Sequence, residues 1–111
     1  MIQVLDNFKD IIRTAEFIEY VCEEEVSRLK MKLQLKDSSY LSVREVKYSN
    51  TDLYSYFWLR EDNTVIMGWD NAPHHREIET FPYHKHIDNR IEPSDKMTLN
   101  DVLSVIKDYI T

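Results

Sequence analysis

The sequence predicts a single α+β domain of 111 residues: a four-stranded antiparallel meander, a helix at each end of the chain and a long histidine-rich loop. Three observations carry this. Hydrophobicity alternates with period two between residues 26 and 69, and it recurs with helical period from residue 98 onward. Between these segments lies a stretch with neither period that holds every histidine of the chain.

Asp6 is placed to cap a first helix, because Phe8, Ile11, Ile12 and Ala15 recur at helical spacing; that helix is expected to end around Ala15–Phe17. From Val26, Leu29, Met31, Leu33 and Leu35 alternate with Arg28, Lys30, Lys32, Gln34 and Lys36, the pattern of a half-buried strand with one basic face. Asp37-Ser-Ser is a turn, and Tyr40–Tyr48 returns as a second strand whose phase slips near Glu45–Val46, where a bulge or strand end is expected. Ser49–Asp52 turns the chain into Leu53–Arg60, apolar on both faces as in a central strand, and Glu61-Asp-Asn63 connects it to a fourth strand, Thr64–Trp69. Residues 70–97 hold three prolines and all four histidines and are expected to form a loop, long enough in so small a domain to be functional. Thr98 then caps a last helix, with Asp101 three residues on and Leu99, Val102, Leu103, Val105, Ile106, Tyr109 and Ile110 at helical spacing.

The bulk properties narrow the function classes. No apolar run approaches the ~18 residues of a membrane span, and the first residues lack the basic start of a signal peptide, so a cytoplasmic protein is expected. A lone cysteine, Cys22, cannot close an internal disulfide and is expected to fill space in or beside a strand. One glycine, Gly68, excludes a phosphate-cradling glycine loop. The net charge of −6 disfavours general nucleic-acid binding but conceals segregation: residues 1–27 carry −5, residues 28–60 carry +4 and residues 61–111 carry −5.

His74, His75, His84 and His86 fall within thirteen residues. Imidazole exchanges protons near neutral pH and is the commonest metal ligand, so three readings stand side by side. In the first, the loop is a metal-independent ribonuclease centre, with no cofactor. RNA supplies its own 2′-hydroxyl nucleophile, so a base, an acid and a cation suffice. His75, His84 and His86 would carry protons and Arg76 or Lys85 would hold the phosphate. Arg28, Lys30, Lys32 and Lys36 would track the backbone, and Tyr54 and Tyr56 would stack on bases. Trp69, Asp70, Asn71 and His74 would support the site, Asp70 by orienting a histidine or by plain turn chemistry. In the second, His-x-His with another histidine or Asp70 binds Zn²⁺ with an open position. In the third, Trp69, Phe81, Tyr83 and Arg76 make the loop a non-catalytic docking surface. Arg44 and Glu45 read as a surface ion pair, and Pro82 is one of three prolines whose peptide bond could be cis.

Trp69-Asp-Asn-Ala-Pro-His-His75, Glu79-Thr-Phe-Pro82 and His84-Lys-His86 form one distinctive run. With Val43-Arg-Glu45, Tyr54-Ser-Tyr56 before Trp58, and Met97-Thr-Leu-Asn-Asp-Val-Leu103, the chain resembles the TumE-type toxins of prokaryotic toxin–antitoxin pairs over most of its length. The resemblance implies a growth-inhibiting protein with a cognate, DNA-binding antitoxin, and leaves a homodimer open. Ser38 and Asn63 depart from it, standing in turns where the family would carry glycine.

Overall fold

The computed structural model describes residues 2–111. In order along the chain are α1 (Ile2–Asn7), β1 (Ile12–Cys22), β2 (Val26–Leu35), β3 (Tyr40–Tyr48), β4 (Thr51–Leu59), β5 (Val65–Asp70), β6 (His84–Ile87), β7 (Arg90–Pro93) and α2 (Leu99–Ile110). The α+β class holds, but the sheet has seven strands rather than four, in the order β1 to β7, each antiparallel to the next. The expected strands correspond to β2–β5.

The first addition is β1, where a longer helix was expected. Phe8 and Ile11 are buried at the turn that leaves α1, and Asp6 lies inside that helix rather than capping it. From Ile12 onward the segment is rich in β-branched and aromatic residues, which favour a pleated strand. Its register sets Glu16 opposite Lys32 and Glu19 opposite Lys30. Two register shifts, between Ile12 and Thr14 and between Phe17 and Glu19, erase the period-two signal and leave a spacing that imitates a helix. Cys22 ends this strand and is exposed, not the buried filler expected.

The second addition is the β6–β7 hairpin, within the expected loop. Ile87 pairs with Arg90 across Asp88 and Asn89, whose φ values of 51° and 61° are those of a type I′ turn. Four-residue strands of mostly polar residues carry too little alternation to be read from sequence. The bulge expected near Glu45–Val46 is absent, since β3 keeps unbroken register with both neighbours. The phase slips because Glu45 occupies an inward position, where its carboxylate accepts the Tyr56 hydroxyl.

Register assigns every strand residue to one of two faces. One face presents Met31, Leu33, Leu41, Val43, Tyr54, Tyr56, Trp58, Met67 and Trp69, and packs against Leu99, Val102, Leu103 and Ile106 of α2 in a single buried cluster. That helix begins as expected: the Thr98 hydroxyl accepts the Asp101 amide while the Asp101 carboxylate accepts the Thr98 amide. Among the described residues, no helix packs on the other face. Gly68, Asp70, His84 and His86 point to this open face, because Gly68 pairs with Phe57 and His86, and Asp70 pairs with Ser55 and His84.

Ser38 and Asn63 adopt φ values of 75° and 71°, the left-handed region that glycine occupies without a Cβ clash. Asn63 is compensated, since asparagine tolerates this region and its side chain accepts the Tyr40 hydroxyl. Among the described residues, Ser38 makes only a backbone bond, from its amide to Leu35 O at 3.1 Å. Ser38→Gly is therefore expected to raise stability by about 0.5–1 kcal/mol, the relieved strain exceeding glycine's entropy in the unfolded chain. Asn63→Gly should give no gain. Paired denaturant titrations check both.

Candidate active site on the open face

Asp70 is the last residue of β5 and His84 the first of β6, and the register places them directly opposite one another. His84 Nε2 lies 2.7 Å from Asp70 Oδ1, and His86, two residues along the same strand face, brings its Nε2 to 3.0 Å from Asp70 Oδ2. One carboxylate thus meets two imidazoles, one on each oxygen. Asp70 Oδ1 also accepts the Ala72 amide at 3.1 Å, so the residue makes the turn and orients histidines at once. The Asp70 and His84 side chains are 14% and 3% exposed, which removes them from bulk water.

The ring of His84 is fixed from its far side, with Nδ1 3.0 Å from the carbonyl oxygen of Pro82. The Phe81–Pro82 peptide is cis. His75 completes the cluster from the loop. Its ring stands edge-on to those of His84 and His86, at centroid distances of 4.9 and 6.4 Å. His75 Nδ1 is 3.5 Å from the Glu77 carboxylate, and its Nε2 has no hydrogen-bond partner among the described residues.

Two neighbours set the position of His86. Phe57 lies 5.2 Å from it, centroid to centroid, and covers Gly68, where a Cβ would sit 2.3 Å from the phenyl ring. The chain's one glycine is thus required by close approach rather than by a turn. Asn71, buried, holds the end of β5: its side-chain oxygen accepts the Tyr54 amide at 2.9 Å and its side-chain nitrogen donates to Asp52 O at 2.7 Å. Those two bonds prolong the pairing to β4 past the last residue of β5. Beside the cluster a cleft of about 330 Å³ is lined by Arg44, Ser55, Asp70, Pro73, His74 and other residues.

Among the sequence-derived candidates, the structure brings His75, His84, His86 and Asp70 together, with Asn71 in support. Exposed His74 lines the cleft but lies outside the cluster. Others are placed elsewhere, for reasons of pleat. Lys85 alternates with its neighbours and pairs with Trp69, so it lies on the helix side and cannot share a phosphate with His84 and His86. Tyr54 and Tyr56 are 8% and 2% exposed in the core, unavailable for stacking on bases. Burial, and then the Glu45 carboxylate, push the Tyr56 phenol far above the ordinary tyrosine range, so it remains a hydrogen-bond donor. Trp69, also buried, supports the core rather than the site. Arg76 is exposed and lies over the Phe81 ring at 5.7 Å.

The basic strand face is only partly free. Lys30 and Lys32 share the open face with the cluster, but Glu19 and Glu16 stand opposite them, and Arg28 pairs with Glu19 at 3.5 Å. Lys32 lies over the Tyr40 ring at 4.3 Å. Lys36 falls beyond the end of β2, where its carbonyl accepts from Arg13. Arg44, expected to pair with Glu45, points to the opposite face from it and makes no ion pair among the described residues. It is the residue sequence reasoning missed; the signal was the alternation of β3. As a docking surface the loop is thin, for Trp69 is buried and Tyr83 is half-buried against Tyr54 at 6.5 Å, leaving Phe81 as its exposed aromatic.

The class these features define is an open-faced antiparallel sheet with an imidazole–carboxylate centre near one edge. The family model for toxin TumE matches residues 1–110, and the chain belongs to that family. It is therefore a toxin component, a role that implies an antitoxin partner. No curated protein and no solved structure matches the chain. No helix among the described residues is long and apolar enough to cross a membrane.

Gly68→Ala tests how the site is packed. The added methyl must displace Phe57 and, through it, His86, at a cost of about 1–3 kcal/mol as for other overpacked sites. A lower melting temperature and shifted His86 ring resonances are expected, and Phe57→Leu in the same chain should restore part of the stability. Unchanged His86 resonances would show that Phe57 does not position it.

Proposed function

We propose that this toxin acts on RNA, cleaving phosphodiester bonds at the centre formed by Asp70, His75, His84 and His86. The observation that carries this reading is a cross-strand row on the open face. Lys30 pairs with Arg44, Arg44 with Ser55, Ser55 with Asp70, and Asp70 with His84. A parallel row runs from Lys32 through Ser42, Phe57 and Gly68 to His86. Strands are spaced ~4.8 Å apart, so Arg44 stands roughly 10 Å from Asp70, within reach of one substrate strand. Both rows connect positive charge at one end with the imidazole–carboxylate cluster at the other, as a polyanion that must also be cut requires.

RNA suits this centre because it brings its own nucleophile, the 2′-hydroxyl. His75 is the proton carrier in this reading. Its ring is half-buried, its Nε2 is uncommitted and it faces the cluster. His84 is not suited to the role, since both of its nitrogens are engaged and its ring is buried. It serves with Asp70 to hold the arrangement that His86 and His75 border.

Purified protein incubated with mixed RNA is expected to leave 2′,3′-cyclic phosphate ends, and induction without the antitoxin is expected to stop bacterial growth. His75→Ala should slow cleavage by roughly 10²–10⁴, the range for a lost acid or base, and relieve the arrest. RNA left intact by folded, growth-arresting protein would overturn the reading and move the target elsewhere.

The track makes a separate prediction. Replacing Lys30 and Arg44 together by Gln should weaken RNA association and lower its log–log salt slope by about 0.7 for each phosphate that is no longer neutralised. An unchanged slope in a filter-binding titration would assign both side chains to solvent.

A further inference from the structure

We propose that Asp70, His84 and His86 form a binding site for a divalent transition-metal ion, with Zn²⁺ the best fit to the donor set. The argument starts from hydrogen accounting at His84. Its Nδ1 faces the Pro82 carbonyl oxygen, which can only accept, so Nδ1 carries the ring's proton. The neutral ring then presents a lone pair at Nε2, and that lone pair faces a carboxylate oxygen 2.7 Å away. Two acceptors in a buried site repel unless a positive charge lies between them. A second proton would satisfy His84 alone. A metal ion satisfies three groups together, because the ligand atoms of Asp70, His84 and His86 all lie within 4.8 Å of one another.

The rest of the geometry agrees. Both imidazoles present Nε2, and both converge on one carboxylate from alternate residues of one strand. A backbone carbonyl on the far nitrogen is the usual device that fixes the tautomer and ring plane of a ligating histidine. Each imidazole Nε2 lies 2.7 or 3.0 Å from a different oxygen of Asp70, and one ligand atom from each of the three residues lies within 4.8 Å of the others; side-chain rotation toward the ~3.3 Å edge of a tetrahedron with 2.0–2.1 Å bonds would bring the three donors around one ion. Two nitrogens and one oxygen select Zn²⁺ and its first-row neighbours over Mg²⁺, which takes oxygen ligands and keeps its water. Three protein ligands leave a position open, as catalytic zinc sites do, and His75 borders it.

The site stands without the proposed reaction, but it deepens that reading by supplying what the cluster lacks. Phosphoryl transfer needs positive charge where the pentavalent intermediate builds negative charge. Lys85 lies on the other face, Arg76 lies over Phe81, and Arg44 is two strands from Asp70. A bound dication would fill that role.

The test uses the full chain, stripped with chelator and titrated with Zn²⁺ by calorimetry and with Co²⁺ by visible absorption. One ion per chain is expected, with a four- or five-coordinate cobalt band and a raised melting temperature. Asp70→Asn and His86→Ala should each weaken binding by more than the roughly 10–100-fold that loss of an outer-shell partner alone produces. His74→Ala, outside the cluster, should bind as the parent does, and Mg²⁺ should not compete. No stoichiometric binding, or binding that survives both Asp70→Asn and His86→Ala, would overturn the site. So would equal weakening by His74→Ala, which would mark adventitious binding by loop histidines. Metal-loaded protein that leaves RNA intact would sink the proposed reaction while leaving the site standing, and chelated protein that still cleaves RNA would show the site is not needed for it.

Discussion

The pairing of β5 with β6 is the constraint from which the site follows. One antiparallel register sets Asp70 opposite His84 and Gly68 opposite His86, and pleating alone then sends all four to the same face. A slip of one residue would turn His84 and His86 into the core and bring Lys85 to the open face. The register is pinned from several directions. Trp69 and Met67 must remain in the core, Gly68 must remain under Phe57, and Asn71 must reach the backbone of β4. On the other side of β6, the Asp88–Asn89 turn fixes where the hairpin reverses. The chemistry of two histidines is therefore held by apolar packing on the face they do not share.

The single long helix makes this possible by being single. Helix α2 covers one face with Leu99, Val102, Leu103 and Ile106, and the opposite face is left to polar work. Polar groups within the core are satisfied locally, with the Trp58 indole donating to Ser39 and the Tyr54 hydroxyl accepting the Met97 amide. That second bond ties the segment before α2 to the strand whose amide Asn71 holds, so the end of the histidine segment and the site are anchored on one residue, Tyr54.

What is legible in the sequence divides along physical lines. Strands β2–β5 are readable because half-buried strands alternate cleanly, and α2 because a capping box and an amphipathic stripe coincide. Strand β1 is not, because an edge strand exposed on both faces has no burial pattern to impose a period, and its register shifts break what remains. The β6–β7 hairpin is hidden by its brevity and by a turn built from Asp and Asn instead of glycine. At the site, the histidines stand out by clustering, and His84 and His86 share a face because period two holds there. That same period sends Lys85 to the other face, against its expected role. Tyr54 and Tyr56 are harder to place, because a strand apolar on both sides does not say which side α2 will cover. Whether Arg44 belongs with Glu45 or with the site depends on β3 being unbroken, which its inward Glu45 obscures.

The fold also redistributes the charge. In sequence, an acidic stretch, a basic stretch and another acidic stretch follow one another, with −5, +4 and −5. Antiparallel pairing then lays the first directly beside the second, Glu16 opposite Lys32 and Glu19 opposite Lys30, with Arg28 bonded to Glu19. Exposed pairs of this kind add little stability, but they cancel field. The open face is consequently less basic than the composition of β2 suggests, and its uncancelled positive charge moves inward to Arg44. A surface of that kind steers a polyanion weakly and at short range, since exposed charge is screened within about 8–10 Å at ordinary ionic strength. In the proposed reaction, affinity and charge stabilisation would then arise near the centre itself, where Asp70 and His84 are shielded from water and electrostatic interactions are stronger. The carboxylate flanked by two imidazoles, where the proposed metal ion would sit, is the place in this fold where positive charge would matter most.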